Sequence, residues 1–150
     1  MLFGKRKRVV NRILIVEDEP LTAFDNEVML GDLGYEVVAT LDNFDDAIER
    51  LDSEEIDLVL SDFRLSGERT GLDLARAAKN RGVPIVFSTG HQLPAESVSL
   101  SLGCITKPYS ERTLRLALEA VDKRLAGKAA KPPKGVELFI PDESKPAHPE

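Results

Sequence analysis

Ile56-Asp57-Leu58-Val59-Leu60-Ser61-Asp62-Phe63-Arg64-Leu65 is the stretch whose reading decides the fold. An apolar run of strand length ends at a carboxylate, Asp62, and polar residues with Gly67 and Gly71 lead into a helical pattern. In an open parallel sheet, ligands and chemistry collect just beyond the carboxyl ends of the strands. An aspartate in that place stands at the edge of a dry core, where it can serve as a nucleophile or a metal ligand. The expectation is that Asp62 accepts a phosphoryl group.

The same pattern repeats on both sides of this run. Upstream, Ile13 to Val16 is unbroken apolar sequence, as a central parallel strand buried on both faces requires, and it ends at Glu17-Asp18-Glu19-Pro20. Pro20 suits a helix start, Phe24, Val28 and Leu33 follow at roughly helical spacing, and Gly34 is a stop. Tyr35 to Ala39 reads as a second strand. Asp42 or Asn43 caps a helix to about Leu51, with Phe44, Ala47, Ile48 and Leu51 on one face.

Downstream, Gly71 precedes a helix whose apolar side is Leu72, Leu74, Ala75 and Ala78. Pro84 starts a fourth strand, Ile85-Val86-Phe87, that ends at Ser88-Thr89-Gly90. His91 to Ser101 is rich in serine and weakly periodic, which predicts a short or frayed fourth helix or a loop. A fifth strand from about Leu102 to Thr106 ends at Lys107-Pro108, and Leu114, Leu118, Val121 and Leu125 mark a good amphipathic helix. Strands alternating with helices through five units predict a doubly wound α/β fold, its parallel sheet covered on both sides.

Composition sets the outer limits. The chain has 150 residues, 42% hydrophobic and 31% charged, enough for one domain with a sizeable core plus some tail. A net charge of -6 argues against nonspecific nucleic-acid binding. The single cysteine, Cys104, excludes an internal disulfide and a cysteine-based zinc cluster, and is read as a small buried hydrophobe. No apolar run approaches the ~20 residues that span a bilayer, and no apolar segment of signal-peptide type follows Lys5, Arg6, Lys7 and Arg8, so a cytoplasmic location is expected.

Residues 1–11 are read as a basic leader, 12–126 as the domain, and 127–150 as a Pro- and Lys-rich disordered tail. Five of the nine prolines fall between Lys131 and Glu150. A small apolar island, Val136 to Ile140, interrupts that tail. Simple disorder is the expectation there, with docking on the domain or on a partner as the alternative.

The chemistry-bearing residues all fall at strand ends. Strand one ends at Glu17 and Asp18, strand three at Asp62, strand four at Thr89 and strand five at Lys107. With the flavodoxin-like strand order 2-1-3-4-5, strands one and three adjoin at the switch point and three carboxylates crowd one pocket. Like charges at such distances cannot all stay ionised without compensation, and a hard divalent cation with oxygen ligands, Mg²⁺ foremost, resolves this. Phosphoryl transfer needs the same parts: an in-line nucleophile, a metal on the phosphoryl oxygens, and further cationic or donating groups. Lys107, the Thr89 hydroxyl and the Gly90 amide supply those groups. Taken singly, a strand-end Asp or Thr is more often a helix cap and a Lys-Pro pair is usually a turn. Five such residues at the ends of four strands are not readily coincidental.

Four segments taken in order form a specific signature: Val16-Glu17-Asp18-Glu19-Pro20, Ser61-Asp62-Phe63-Arg64-Leu65, Ser88-Thr89-Gly90 and Thr106-Lys107-Pro108-Tyr109. In these segments the chain resembles the response-regulator receiver domain of two-component signalling, over about Arg12 to Leu125. The resemblance implies a CheY-like fold with Asp62 as phosphoacceptor. It implies Mg²⁺ held by Asp18, Asp62 and the Arg64 backbone carbonyl, with Glu17 acting through water. Lys107 would pair with the phosphoryl group, Thr89 would reorient toward it as the switch, and the Lys107–Pro108 bond would be cis. The implied partners are a histidine kinase and a downstream regulator or phosphotransferase. The short tail leads to the expectation of a stand-alone receiver without dedicated substrate turnover.

Two departures qualify the resemblance. The position three before the lysine, often aromatic in the family, is Cys104, which puts the usual aromatic switch in doubt and leaves Tyr109 to share that role or only to pack. A receiver subgroup with a degenerate fourth helix carries Phe-Ala-Thr-Gly-apolar-Tyr; here Phe87-Ser88-Thr89-Gly90-His91-Gln92 keeps only Phe, Thr and Gly. That partial match implies a stress-response phosphorelay. The rival readings are a pseudo-receiver, which keeps the fold as a pure interaction module, and an aspartate-nucleophile phosphatase. The latter needs an acidic residue two beyond the nucleophile, where this chain has Arg64.

Overall fold

The structure is a computed structural model and describes residues 8–140. The strands are β1 (Arg12–Val16), β2 (Glu36–Leu41), β3 (Leu58–Asp62), β4 (Ile85–Thr89), β5 (Gly103–Thr106) and β6 (Val136–Leu138). The helices are α1 (Pro20–Asp32), α2 (Phe44–Ser53), α3 (Gly71–Asn80), α4 (Ser97–Leu100) and α5 (Glu111–Leu125). The sheet order is β2-β1-β3-β4-β5-β6, parallel throughout except for β6, which runs antiparallel to β5. The flavodoxin-like order expected from sequence is therefore present, with one strand added.

The apolar runs of β1, β3 and β4 are buried because helices cover both faces of the sheet. One core joins Ile13, Ile15 and Leu60 to Leu30 of α1 and Leu114, Leu118 and Val121 of α5. The other joins Leu14, Val59 and Phe87 to Leu51 of α2 and Leu74, Ala75 and Ala78 of α3. Local chemistry sets the helix starts. The Asn43 side chain accepts the Asp46 amide at 2.9 Å, and Thr70 with Asp73 forms a capping box ahead of α3. α4 is a single turn, in keeping with the serine-rich sequence that precedes β5.

Three features depart from the sequence reading. First, α1 turns Ala23, Asn26 and Leu30 toward the sheet and leaves Leu21, Phe24 and Val28 exposed. Second, residues 8–11 are not a solvated leader. Val10 is buried, Arg8 stacks 4.1 Å over the Tyr35 ring, and the buried Asp122 carboxylate accepts both the Val9 and Val10 amides at 2.8 Å; residues 1–7 lie outside the described residues. Third, the apolar island is not disordered. Val136–Leu138 forms β6, where pairing with the β5 edge satisfies its backbone and packing against the α5-side core covers its apolar side chains. The rest of the tail, residues 141–150, lies outside the described residues.

Candidate functional site

The register of the sheet brings the strand-end residues together. Val16 pairs with Ser61, so Glu17 and Asp62 emerge side by side from β1 and β3. Carboxylate oxygens of Glu17, Asp18 and Asp62 lie within 4.8 Å of one another. Lys107 follows β5, two strands away from β3, and its long stem spans the gap: Nζ stands 2.6 Å from Glu17 Oε1 and 3.2 Å from Asp62 Oδ2. The other Asp62 oxygen, Oδ1, accepts the Arg64 amide at 3.3 Å.

Burial separates the roles of the carboxylates. Only 1% of the Glu17 side chain is exposed, against 15% for Asp62, while Asp18 is open to solvent. Burial pushes the Glu17 carboxyl above the ordinary range, and the Asp62 charge adds to this, against the opposing pull of Lys107 and the Glu19 amide. Burial alone would lower the Lys107 ammonium, but the hydrogen bond and charge of Glu17, joined by Asp62, outweigh it and hold it above the usual lysine value. Lys107 is therefore a fixed cation at neutral pH. Three carboxylates against one ammonium leave a net negative cluster of hard oxygen donors, which fits a divalent cation of the Mg²⁺ type.

The loop after Asp62 is held by close backbone contact. The Gly71 amide donates to Phe63 O at 2.6 Å, and a β-carbon at Gly71 would stand 2.7 Å from Asp62 O. Only glycine lets α3 begin this near the aspartate. Beside it, Phe63 meets the buried Phe87 ring edge-on at 5.7 Å.

Thr89 and Gly90 close the β4 end. The Thr89 hydroxyl caps its own turn, accepting the His91 amide at 3.1 Å, and Gly90 is exposed with open space around it. Tyr109 is not joined to the carboxylates by a hydrogen bond. Its hydroxyl donates to Asn26 Oδ1 at 2.8 Å and lies 3.0 Å from Ser88 Oγ. Burial raises its phenol above the ordinary value despite both hydrogen bonds. Sequence reasoning missed Asn26 and Ser88. The signal for Asn26 was its place in the stripe Ala23, Asn26, Leu30, where a polar side chain among apolar ones needs a buried partner. The Lys107–Pro108 peptide is cis. Cys104 is half-buried in β5 between Phe87 and Glu137, and burial raises its thiol.

A doubly wound sheet with acidic side chains and a lysine gathered at its switch point, where ligands collect in open α/β sheets, defines a class of α/β domain. Within that class the chain belongs to the response regulator receiver domain family, whose model matches residues 13–119. It is 32% identical over 120 residues to the sensory transduction protein LytR of Staphylococcus haemolyticus, covering 77% of this chain and 46% of LytR. A receiver protein from Sinorhizobium medicae is similar in structure, with TM-score 0.64, 30% identity, and coverage of 75% of this chain and 94% of that one. The receiver domain of the sensor histidine kinase PA1611 from Pseudomonas aeruginosa, with a magnesium ion coordinated in its active-site cleft, matches with TM-score 0.64 and 26% identity over 73% of this chain and 95% of its own. The chain spans about half the length of the curated relatives it matches. Among the described residues, no helix is long and apolar enough to cross a membrane.

Proposed function

We propose that Asp62 is a phosphoacceptor, loaded by a histidine kinase, and that the domain signals through protein contact or onward transfer. The observation that carries this is the Lys107 ammonium, placed between buried Glu17 and partly exposed Asp62. In the proposed step, an Asp62 carboxylate oxygen attacks the phosphorus of a phosphohistidine. The O–P bond forms as the P–N bond breaks, and the departing imidazole nitrogen keeps the electron pair. Lys107 meets the charge on the transferred oxygens, and the Arg64 amide holds the carboxylate in line. Held by Asp18, Asp62 and the Arg64 carbonyl, with Glu17 acting through water, Mg²⁺ would supply the positive charge that phosphoryl transfer requires.

An exposed apolar stripe supports the kinase as donor. Leu21, Phe24 and Val28 are 76%, 62% and 44% exposed on α1, whose start adjoins Asp18. A helix bearing the phosphohistidine would cover that stripe while presenting its phosphorus to Asp62. The partial Phe-x-Thr-Gly pattern supports a place in a stress-response phosphorelay.

The test is intact-mass spectrometry after incubation with acetyl phosphate and Mg²⁺. One phosphoryl adduct is expected on the native chain, none on Asp62→Ala, and none in excess chelator. An adduct that persists in Asp62→Ala would move the acceptor elsewhere and end this reading.

A further inference from the structure

β6 has no part in the phosphoacceptor chemistry, yet it is joined to it. It covers the outer edge of β5: the Thr106 amide donates to Gly135 O at 2.9 Å and the Phe139 amide to Leu102 O at 2.7 Å. Gly103 makes the approach possible, since a β-carbon there would overlap the Glu137 carbonyl. Arg124 of α5 holds both ends of the segment, with Nη1 2.8 Å from Ile140 O and Nη2 2.9 Å from Ala130 O. Val136, Leu138 and Ile140 pack on the α5-side core. Glu137 and Phe139 instead form one wall of a cavity of about 420 Å³, with Thr89, His91 and Leu93 across from them and Cys104 between.

This attachment is shallow. β6 is three residues long, its side chains are at most half-buried, and what holds it is a short backbone pairing, the Arg124 guanidinium at its ends and three partly covered apolar side chains. Segments of that kind open at free energies far below that of global unfolding. The attachment also lies one peptide from the site. Thr106, which holds Gly135, precedes Lys107, whose amide donates to Thr89 O at 2.9 Å and whose ammonium spans Glu17 and Asp62. A phosphoryl group on Asp62 draws on the Lys107 ammonium and on the Thr89 hydroxyl, now engaged by the His91 amide. Both shifts act on the segment that faces Glu137 and Phe139 across the cavity.

We propose that residues 130–140 form an intramolecular strap over the β5 edge, and that loading of Asp62 releases it. The inference rests on Asp62 being the phosphoacceptor. A ligand shifts such an equilibrium only by its different affinity for the two states. The strapped state keeps the Thr89 hydroxyl on the His91 amide and the Lys107 ammonium on Glu17 and Asp62; the released state frees these two side chains for the phosphoryl oxygens and leaves the Lys107 amide on Thr89 O.

Amide hydrogen exchange by NMR on the full chain tests this, with and without Mg²⁺ and beryllofluoride as the phosphoryl mimic. Occupancy is read from the shift of the Arg64 amide, which donates to Asp62. Two amides bond across the seam, Thr106 to Gly135 of the strap and Phe139 of the strap to Leu102, whereas the Leu102 and Lys107 amides donate to Ile85 and Thr89 of β4. Loading is expected to speed exchange at Thr106 and Phe139 at least ~10-fold and to leave Leu102 and Lys107 unchanged. Leu138→Asp should produce the same acceleration without the mimic. Unchanged Thr106 and Phe139 in the occupied protein overturn the strap, and so does equal acceleration of all four amides, which means that β5 as a whole has loosened. Failure to form the acetyl-phosphate adduct is read separately, by mass, and overturns the phosphoacceptor reading together with the coupling built on it.

Discussion

The two halves of the strand-end edge differ in stiffness. At β1 and β3, buried Glu17 lies 2.6 Å from Lys107, both Asp62 oxygens are engaged, and Gly71 backs the loop with no room for a methyl group. At β4 and β5, every residue from Gly90 to Glu96 is exposed except half-buried Leu93, and the helix that follows is one turn long. On the proposed function, the groups that must be aimed to a fraction of an ångström occupy the stiff half. Those that would change partners occupy the soft half, where local opening requires little free energy. Lys107 belongs to both, with its ammonium in one and its backbone in the other.

Substitutions can break that comparison, and the largest effect is expected at Lys107. Lys107→Ala should slow adduct formation from acetyl phosphate by ~10²-fold or more, as loss of a preorganised charge-stabilising group does. It should also tighten Mg²⁺ binding in a calorimetric titration, because three carboxylates then face the ion without an ammonium. Weaker Mg²⁺ binding would mean that Lys107 organises the pocket rather than competing in it.

Gly71→Ala comes next. Its β-carbon meets Asp62 O and the Phe63 backbone at 2.7–2.8 Å, so the aspartate loop must shift. A loss of ~10²-fold in adduct formation is expected, with destabilisation of about 1–3 kcal/mol in a denaturant titration. Native-like adduct formation would show that the supposedly stiff half tolerates displacement.

Thr89→Ala sharpens the contrast from the other side. It removes the acceptor of the His91 amide and should cost about 1 kcal/mol, leaving adduct formation within ~10-fold of native. Loss as deep as that of Lys107→Ala would place Thr89 in the chemistry and erase the division.

The smallest effect is expected at Tyr109. Tyr109→Phe leaves Asn26 Oδ1 without its donor and should cost about 1–2 kcal/mol. The sign of the pH dependence follows from the raised phenol. Its contribution to stability is complete below the unfolded-state value of ~10 and is lost as pH rises through the folded value, so Tyr109→Phe should be less alkali-sensitive than the native chain. Unfolding curves at neutral and alkaline pH check this, with Tyr35, also raised by burial, common to both proteins.

Much of the fold was legible because the central strands are apolar on both faces and stop at charged residues. Asp62, Glu17 and Lys107 could be placed from those stops alone; the adjacency of Glu17 and Asp62 followed from the strand order, while Lys107, two strands from β3, reaches them by its long stem. Helix α1 shows where such reading fails. Its sequence offers two stripes at helical spacing, and the larger apolar one, with Leu21, Phe24 and Val28, faces solvent. The inward stripe carries Asn26, whose partner Tyr109 lies far along the chain, so no local pattern reveals the pairing. β6 was legible only as an apolar island, with docking as the alternative to disorder. Three strand residues among lysines and prolines bury too little to decide between the two, and the glycine that admits them, Gly103, belongs to another element.

The same short strand bears on solubility. An uncovered strand at the margin of a sheet is a template for pairing with other chains, and proteins blunt it with brevity, charge and proline. β6 has all three: it is three residues long, exposes Glu137 at its centre, and follows Pro132 and Pro133. Without it the margin would be β5, whose backbone groups from Gly103 to Ile105 would lose their pairing with Val136–Leu138. Time spent unstrapped is then time exposed to self-association, and a chain that is loaded and released for long periods should clump before one kept unloaded.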